Sequence, residues 1–243
     1  MMGIVPEKGA CVDPVPVLNS FRSLAKCGKV KDGSPPGHTD GWGAVTWNSD
    51  DLPYYLAREP KNASTDIAFD EMLSTLERFS IRSHVVAHLR KASLGSKTVE
   101  NTHPFIIGNW AFAHNGTIRK LNLKDRTDSE WFFKSLMAEY APGQPDMLAA
   151  IKKRIDLVHH MYNYSSMTFL LSNGREMFAY RDYAKDKEYY TLYYAKAKNY
   201  HLLCQEKIVD DFEWIEIENK HLLHIYDGRV SNLDLSERST LLA

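Results

Sequence analysis

Three short features of this chain could do chemistry together. Asn115-Gly116 follows the apolar run Trp110–His114, so an amide side chain and a backbone N–H can converge on one oxygen, as a developing oxyanion requires. The same dipeptide is the favoured two-residue hairpin loop, and taken alone it reads first as a turn. Arg90 closes the β-branched run Ser83–Leu89, where its guanidinium can grip a carboxylate through two parallel hydrogen bonds or simply face solvent. Asp128 lies within Thr127-Asp128-Ser129-Glu130, a capping-box pattern in which an acid in the first helical turn suits the helix dipole. Facing a cavity, that carboxylate would hold an ammonium group instead. With a nucleophile and a base, these parts would hydrolyse an amide while gripping an amino-acid head.

Other chemistries find less support. The chain has ten histidines, but His84 and His88 sit four apart in a predicted strand, too far for one ion, and His159-His160 and His221/His224 lack acidic or thiol partners at ligand spacing. No metal and no cofactor are expected. Lys and Arg number 30 against 31 Asp and Glu, a balance that gives no electrostatic reason to expect nucleic acid or an anionic membrane. Tyr189–Tyr194 is rich in aromatics but has no basic groove beside it, so packing or a dimer contact is expected there rather than base stacking. No apolar run approaches the roughly 18–20 residues of a membrane span, and no export signal is evident. The three cysteines, Cys11, Cys27 and Cys204, are widely spaced and odd in number. Free thiols in a reducing cytoplasm are expected, with Cys27 and Cys204 in the core.

The elements that would position these residues can be read in outline. With 44% hydrophobic residues over 243 positions, the chain can bury a full core, and one domain over 1–243 is expected. Gly3–Val5 suits a short buried strand. Val17, Leu18, Phe21 and Leu24 recur at helical spacing, with Gly28 as a stop. Lys29–Thr39 reads as a loop, then Asp40-Gly41-Trp42-Gly43 opens a strand to Trp47, and Asn48–Asp51 turns it into Tyr54–Arg58. Ile67, Met72, Leu73, Leu76 and Phe79 mark an amphipathic helix. Ser83–Leu89 and Trp110–His114 are strands separated by an irregular loop, Lys91–Gly108. Helices are expected from Thr127 to about Tyr140 and over Met147–Val158. Met167–Leu171 and Glu176–Tyr180 flank Asn173-Gly174, a hairpin signal, and Tyr189–Lys196, Leu202–Gln205, Trp214–Glu218 and Leu222–Tyr226 continue as strands. Many strands with few helices imply an α+β domain with two packed antiparallel sheets.

The order of the motifs adds a resemblance. His88-Leu89-Arg90-Lys91-Ala92-Ser93, Asn101-Thr102-His103-Pro104-Phe105, His114-Asn115-Gly116 and Thr127-Asp128-Ser129-Glu130 resemble, in order and approximate separation, the glutamine pocket of class II (N-terminal nucleophile) glutamine amidotransferases. Asp40-Gly41-Trp42-Gly43 and the hairpin residues Gly174, Phe178, Ala179, Tyr180 and Arg181 are similar to the stand-alone, YafJ-like branch. The resemblance runs from about Gly3 to Tyr226. It implies a four-layer αββα Ntn-hydrolase sandwich. It also implies Arg90 for the glutamine carboxylate, Asn115 and Gly116 for the oxyanion, Asp128 for the α-ammonium, and Ser93 and His103 shaping the loop above. Glutamine or a γ-glutamyl small molecule is the implied partner, with an acceptor enzyme or a homodimer left open.

The pattern breaks at the nucleophile. In the family an N-terminal cysteine attacks the amide and its own α-amino group acts as base. Here Met2 precedes the Gly3-Ile4-Val5 strand at the expected nucleophile position, and a thioether has no proton to lose. Three explanations stand: a start further upstream with a Met-Cys-Arg-like segment, a real substitution leaving a catalytically inactive glutamine-binding pseudoenzyme or scaffold, or cleavage after Ala10 exposing Cys11. The last fits least, because it removes the strand.

Overall fold

A computed structural model describes every residue except 32, 79, 122, 124, 125, 141–145 and 237–243. The first half runs β1 (Met2–Pro6), α1 (Val15–Cys27), β2 (Trp42–Trp47), β3 (Pro53–Glu59), α2 (Ile67–Leu76), β4 (Val85–Leu89), a 3-10 turn at Val99–Asn101, β5 (Phe105–Ile107) and β6 (Trp110–Ile118). The second half runs α3 (Asp128–Glu139), α4 (Met147–Met161), β7 (Tyr164–Ser172), β8 (Glu176–Arg181), β9 (Tyr193–Lys196), β10 (Tyr200–Cys204), β11 (Ile215–Glu216), β12 (His221–Tyr226) and β13 (Arg229–Asp234).

The strands form two antiparallel sheets, ordered β11-β9-β10-β1-β4-β2-β3 and β13-β12-β8-β7-β6-β5. Three apolar clusters separate four layers. One joins α1 and α2 to the first sheet through Leu18, Phe21, Phe69 and Leu73. Another joins α3 and α4 to the second through Phe132, Phe133, Ile151 and Ile155. The third lies between the sheets, with Val5, Val45, Val86, Ala113, Leu170 and Met177. The fold is therefore an α+β, four-layer αββα sandwich. Because alternate side chains of a strand face opposite ways, β1 sends Met2 and Ile4 to the helix-side core and Met1 and Val5 to the space between the sheets.

Local chemistry explains several boundaries. Asp66 caps α2 by accepting the Ala68 N–H at 3.3 Å, and it also accepts the Trp42 indole N–H at 2.9 Å, tying β2 to that helix. Thr127 caps α3 through the Glu130 N–H at 3.2 Å, but the Glu130 carboxylate pairs with Arg126 and Lys134 rather than completing a capping box. Asn173-Gly174 turns β7 into β8, with Gly174 at φ +85.

Some expectations need correction. Lys91–Gly108 is not wholly irregular, since it contains the 3-10 turn and β5, a strand too short to show periodicity. β6 continues four residues past His114, and only Tyr193–Lys196 of the Tyr189–Lys196 run is paired. β13 carries no apolar alternation and had no signal. Cys27 is exposed on the last turn of α1 and donates to the Ser23 carbonyl, whereas Cys204 is buried. Phe79, expected on the apolar face of α2, lies outside the described residues. No helix among the described residues is long and apolar enough to cross a membrane.

Candidate active site

A cavity of about 350 Å³ opens at the edge of the inter-sheet space, where β1, β4 and β6 end near the start of α3. Met1, Arg90, Ser93, His103, Asn115, Gly116 and Asp128 all line it. Residues 38 positions apart in sequence, Arg90 and Asp128, thus share one wall only because the two sheets stack.

Arg90 is placed by backbone and held by side chain. Its N–H donates to the Gly41 carbonyl at 2.7 Å and its carbonyl accepts the Asp40 N–H at 2.9 Å, which extends the β2–β4 ladder by one step. Gly41 has φ +151, and a Cβ there would sit 2.9 Å from Thr102 Oγ1, so the close approach excludes a side chain. The guanidinium is only 3% exposed; it donates to the Ser96 carbonyl at 3.0 Å and the Leu94 carbonyl at 2.9 Å. Arg90 therefore fixes the loop over the cavity while keeping further N–H donors for a ligand. Asp40 supports the same loop by accepting the Ala92 N–H at 2.9 Å and pairing with Lys97. Burial alone would push the Asp40 carboxyl up, but Lys97 and the Ala92 N–H hold it below the ordinary aspartate range. Ser93 Oγ meets Thr117 Oγ1 at 3.2 Å, tying loop to β6.

Asn115 and Gly116 lie inside β6, opposite Thr168 and Met167, with a bulge before Ile118. They do not form a turn. A Cβ on Gly116 would lie 1.9 Å from the Ser166 carbonyl oxygen, so only glycine lets β6 and β7 approach this closely. Tyr189 lines the cavity with Asn115, and burial pushes its phenol up to about 12. His114 bridges Ser129 Oγ at 2.9 Å and the Ser166 carbonyl at 3.2 Å. The carbonyl can only accept, so Nε2 carries the proton and Nδ1 accepts from Ser129. Burial lowers the His114 pKa, against an upward pull from Asp128, and the ring stays neutral. Asp128, 3% exposed, accepts the Ile118 N–H at 2.7 Å through Oδ2.

Met1 and Met2 face opposite sides of the first sheet. Met2 is fully buried in the helix-side core and does not line the cavity. Strand parity turns Met1 toward it instead. The Met1 ammonium donates to Gln205 Oε1 at 3.1 Å, and the Met1 carbonyl accepts the Gln205 N–H at 3.3 Å. Burial lowers the pKa of this amine below 8.0. The His103 ring packs between those of His88 and Phe105 in tilted contacts, each at 4.5 Å between ring centroids. His88 Nδ1, both His103 ring nitrogens and Gln205 Nε2 are buried with no hydrogen-bond partner among the described residues. Burial pushes both imidazoles far down, so they are neutral. These groups suit a small polar ligand atom or residue rather than an apolar one.

Sequence reasoning missed Met1, His88, Gln205, Glu206 and Tyr189. His88 lay within a motif and Tyr189 within the aromatic run Tyr189–Tyr194; Met1, Gln205 and Glu206 have no local signal. Among the described residues, no group of three or more His, Cys, Asp or Glu could hold a metal ion.

Similarity to known proteins follows the same lines. Residues 10–197 match the family of class-II glutamine amidotransferases, a span that holds every site residue above except Met1, Gln205 and Glu206. YafJ of Escherichia coli, provisionally named a glutamine amidotransferase, is 31% identical over 186 residues, 69% of this chain and 68% of YafJ. A Haemophilus influenzae protein with the same provisional name is 30% identical over 190 residues, covering 70% of this chain and 60% of the relative. The uncharacterised MJ1515 of Methanocaldococcus jannaschii is 30% identical over 192 residues, but the match spans 49% of its length. Among solved structures, the glutamine phosphoribosylpyrophosphate amidotransferase of B. subtilis shares the fold with a TM-score of 0.66 at 16% identity, over 98% of this chain and 49% of that one. A glutamine aminotransferase class-II domain protein from Silicibacter pomeroyi gives a TM-score of 0.59 at 18% identity, over 79% and 90%. With its αββα layers and a family match over most of its length, this chain belongs to the class-II glutamine amidotransferases.

Proposed function

We propose that residues 1–243 act as one domain that binds glutamine and supports hydrolysis of its side-chain amide, releasing ammonia. One observation carries this reading: Met1, Arg90, Asn115, Gly116 and Asp128 line a single cavity. In this reading Arg90 takes the α-carboxylate, Asp128 the α-ammonium, and Asn115 with Gly116 the oxyanion. Ser93 and His103 keep the roof and floor in place. A cysteine thiolate at the seat attacks the amide carbon. Its α-amino group, made a weaker acid-holder by burial, passes the thiol proton to the departing ammonia, and water then cleaves the thioester to give glutamate. Metal and cofactor play no part in this scheme.

The seat decides turnover. Met1 presents a thioether there, so this sequence binds without hydrolysis unless a cysteine occupies the seat, either at position 1 or on residues N-terminal to it. The buried, unpartnered nitrogens of His88, His103 and Gln205 support a polar occupant. The test compares the chain as given with a form exposing Met1→Cys as its first residue and a form preceded by Cys-Arg. Glutamine binding is measured by calorimetry and ammonia by a coupled assay. Binding by the chain as given, with ammonia released only by a cysteine form, is expected. Binding without ammonia from either form leaves a glutamine-binding module; absence of binding in all three defeats the pocket assignment.

A further inference from the structure

One buried residue holds the Asn115–Gly116 segment from behind. Ser166, fully buried near the start of β7, does not line the cavity. Its Oγ donates to the Asn115 carbonyl at 3.0 Å and accepts the Thr168 N–H at 3.0 Å, and Asn115 and Thr168 face each other in the β6–β7 ladder. The Ser166 carbonyl accepts His114 Nε2–H at 3.2 Å and stands 1.9 Å from where a Cβ on Gly116 would lie. Three successive residues of β6 thus rest on one residue of β7.

A proton count favours this arrangement. The Ser166 hydroxyl has one proton and two acceptors within reach, the Asn115 carbonyl and Thr168 Oγ1 at 2.9 Å. The carbonyl can only accept. Thr168 Oγ1 already accepts the Asp182 N–H at 3.3 Å and can itself donate to the Asp182 carbonyl at 3.3 Å. Giving the Ser166 proton to Asn115 therefore satisfies every member of the set. Asp182 is fixed in turn, since its carboxylate accepts from His159 at 2.7 Å and from the Tyr164 and Tyr180 hydroxyls at 3.3 Å each.

The consequence lies in the peptide unit. The Asn115 carbonyl and the Gly116 N–H belong to one planar trans amide, so they point in opposite directions. Holding the carbonyl toward β7 aims the Gly116 N–H away from it. On that side β5 pairs only with Trp110–Phe112, so among the described strands none flanks Gly116 there, and the residue lines the cavity instead. A hydrogen bond accepted by the carbonyl also polarises the amide and strengthens its N–H as a donor.

Resting on the proposed function, we infer that Ser166 is a positioning residue for the oxyanion hole, acting through the Asn115–Gly116 peptide to fix the direction of the Gly116 N–H without touching the ligand. A γ-group that becomes tetrahedral and anionic needs that direction. A planar, neutral amide held by its α-carboxylate and α-ammonium needs it much less.

Two ligands separate these demands without turnover. Dissociation constants of glutamine and of L-homocysteate, whose tetrahedral sulfonate replaces the planar γ-amide, are measured by calorimetry on the full chain, Ser166→Ala and Ser166→Cys. Removing an oxyanion donor outright costs about a hundredfold to a thousandfold in rate; with the donor misaimed, Ser166→Ala is expected to weaken homocysteate by about tenfold or more and glutamine by less than about threefold. Ser166→Cys, a longer and weaker donor, should fall between wild type and Ser166→Ala, and it carries the comparison if the alanine variant does not fold. The ratio of the two constants is independent of the folded fraction, so partial unfolding does not mimic the result. Equal loss of both ligands, or no loss of either, overturns the positioning role and leaves the glutamine pocket standing. So does a wild-type chain that binds glutamine but not homocysteate. Absence of glutamine binding in wild type removes the pocket and the inference together.

Discussion

Arg90→Ala should separate the loop-holding role of this side chain from its proposed grip on a carboxylate. The guanidinium holds two loop carbonyls, those of Leu94 and Ser96, from a site that is 3% exposed. Hydrogen bonds from a charged donor contribute about 1.5–3 kcal/mol each, so the loop loses at most about 3–6 kcal/mol, and less where water can reach the freed carbonyls. Truncating one partner of a buried charge pair costs ~2–5 kcal/mol in binding, roughly thirtyfold to several thousandfold in Kd. A fall in glutamine affinity alone would not tell a lost carboxylate contact from a collapsed loop. A thermodynamic cycle does: affinities of glutamine and of 4-aminobutanamide, which lacks the α-carboxylate, are compared in wild type, Arg90→Ala and Arg90→Lys. Loop collapse lowers both ligands equally, whereas a direct contact makes the wild-type preference for glutamine shrink by ~2 kcal/mol or more in the alanine variant. Arg90→Lys keeps the charge but not the fork, and should recover only part of the preference. A preference unchanged in Arg90→Ala would refute carboxylate recognition by this residue and leave it the loop alone.

Other perturbations follow from the packing and the buried titratable groups. Gly116→Ala places a methyl 1.9 Å from the Ser166 carbonyl oxygen, and prising β6 from β7 should cost ~3 kcal/mol or more, lowering Tm by roughly 6–12 °C in scanning calorimetry; a shift under about 2 °C would mean the strands are not locked there. Burial lowers the His84 pKa from 6.5 to about 3, so on acidification the unfolded chain takes up this proton first and stability falls from pH 6.5 downward. By pH 5 this side chain accounts for ~2 kcal/mol, and His84→Gln should shrink the loss in urea midpoint between pH 7 and 5; parallel curves would contradict it. Cys11 and Cys27 are exposed while burial pushes the Cys204 thiol up to about 11, so two thiols should react promptly with a disulfide reagent in the native protein and the third only on unfolding. Rapid reaction of all three would show that β10 opens readily.

The chain order of helices and strands, the Thr127 cap and the Asn173-Gly174 hairpin were legible in the sequence because each rests on contacts between near neighbours, and the resemblance of four ordered motifs supplied the αββα architecture. The same dipeptide had two fates. Asn173-Gly174 turns between β7 and β8, while Asn115-Gly116 runs straight through β6, because β7 pairs with it on one side and the Ser166 carbonyl fills the space where a glycine Cβ would be. No local rule distinguishes them. Tyr189 and Tyr190 read as strand residues, yet they find no partner strand and wall the cavity, held by the Asp186 carbonyl, Arg181 and Ser165. The two N-terminal methionines show the limit most directly. Sequence places Met2 next to the strand, but the face each residue takes depends on how β1 registers between β10 and β4, and a one-residue change of parity moves every side chain to the opposite side. Only the stacking of two sheets decides that Met1 meets the cavity and Met2 the core.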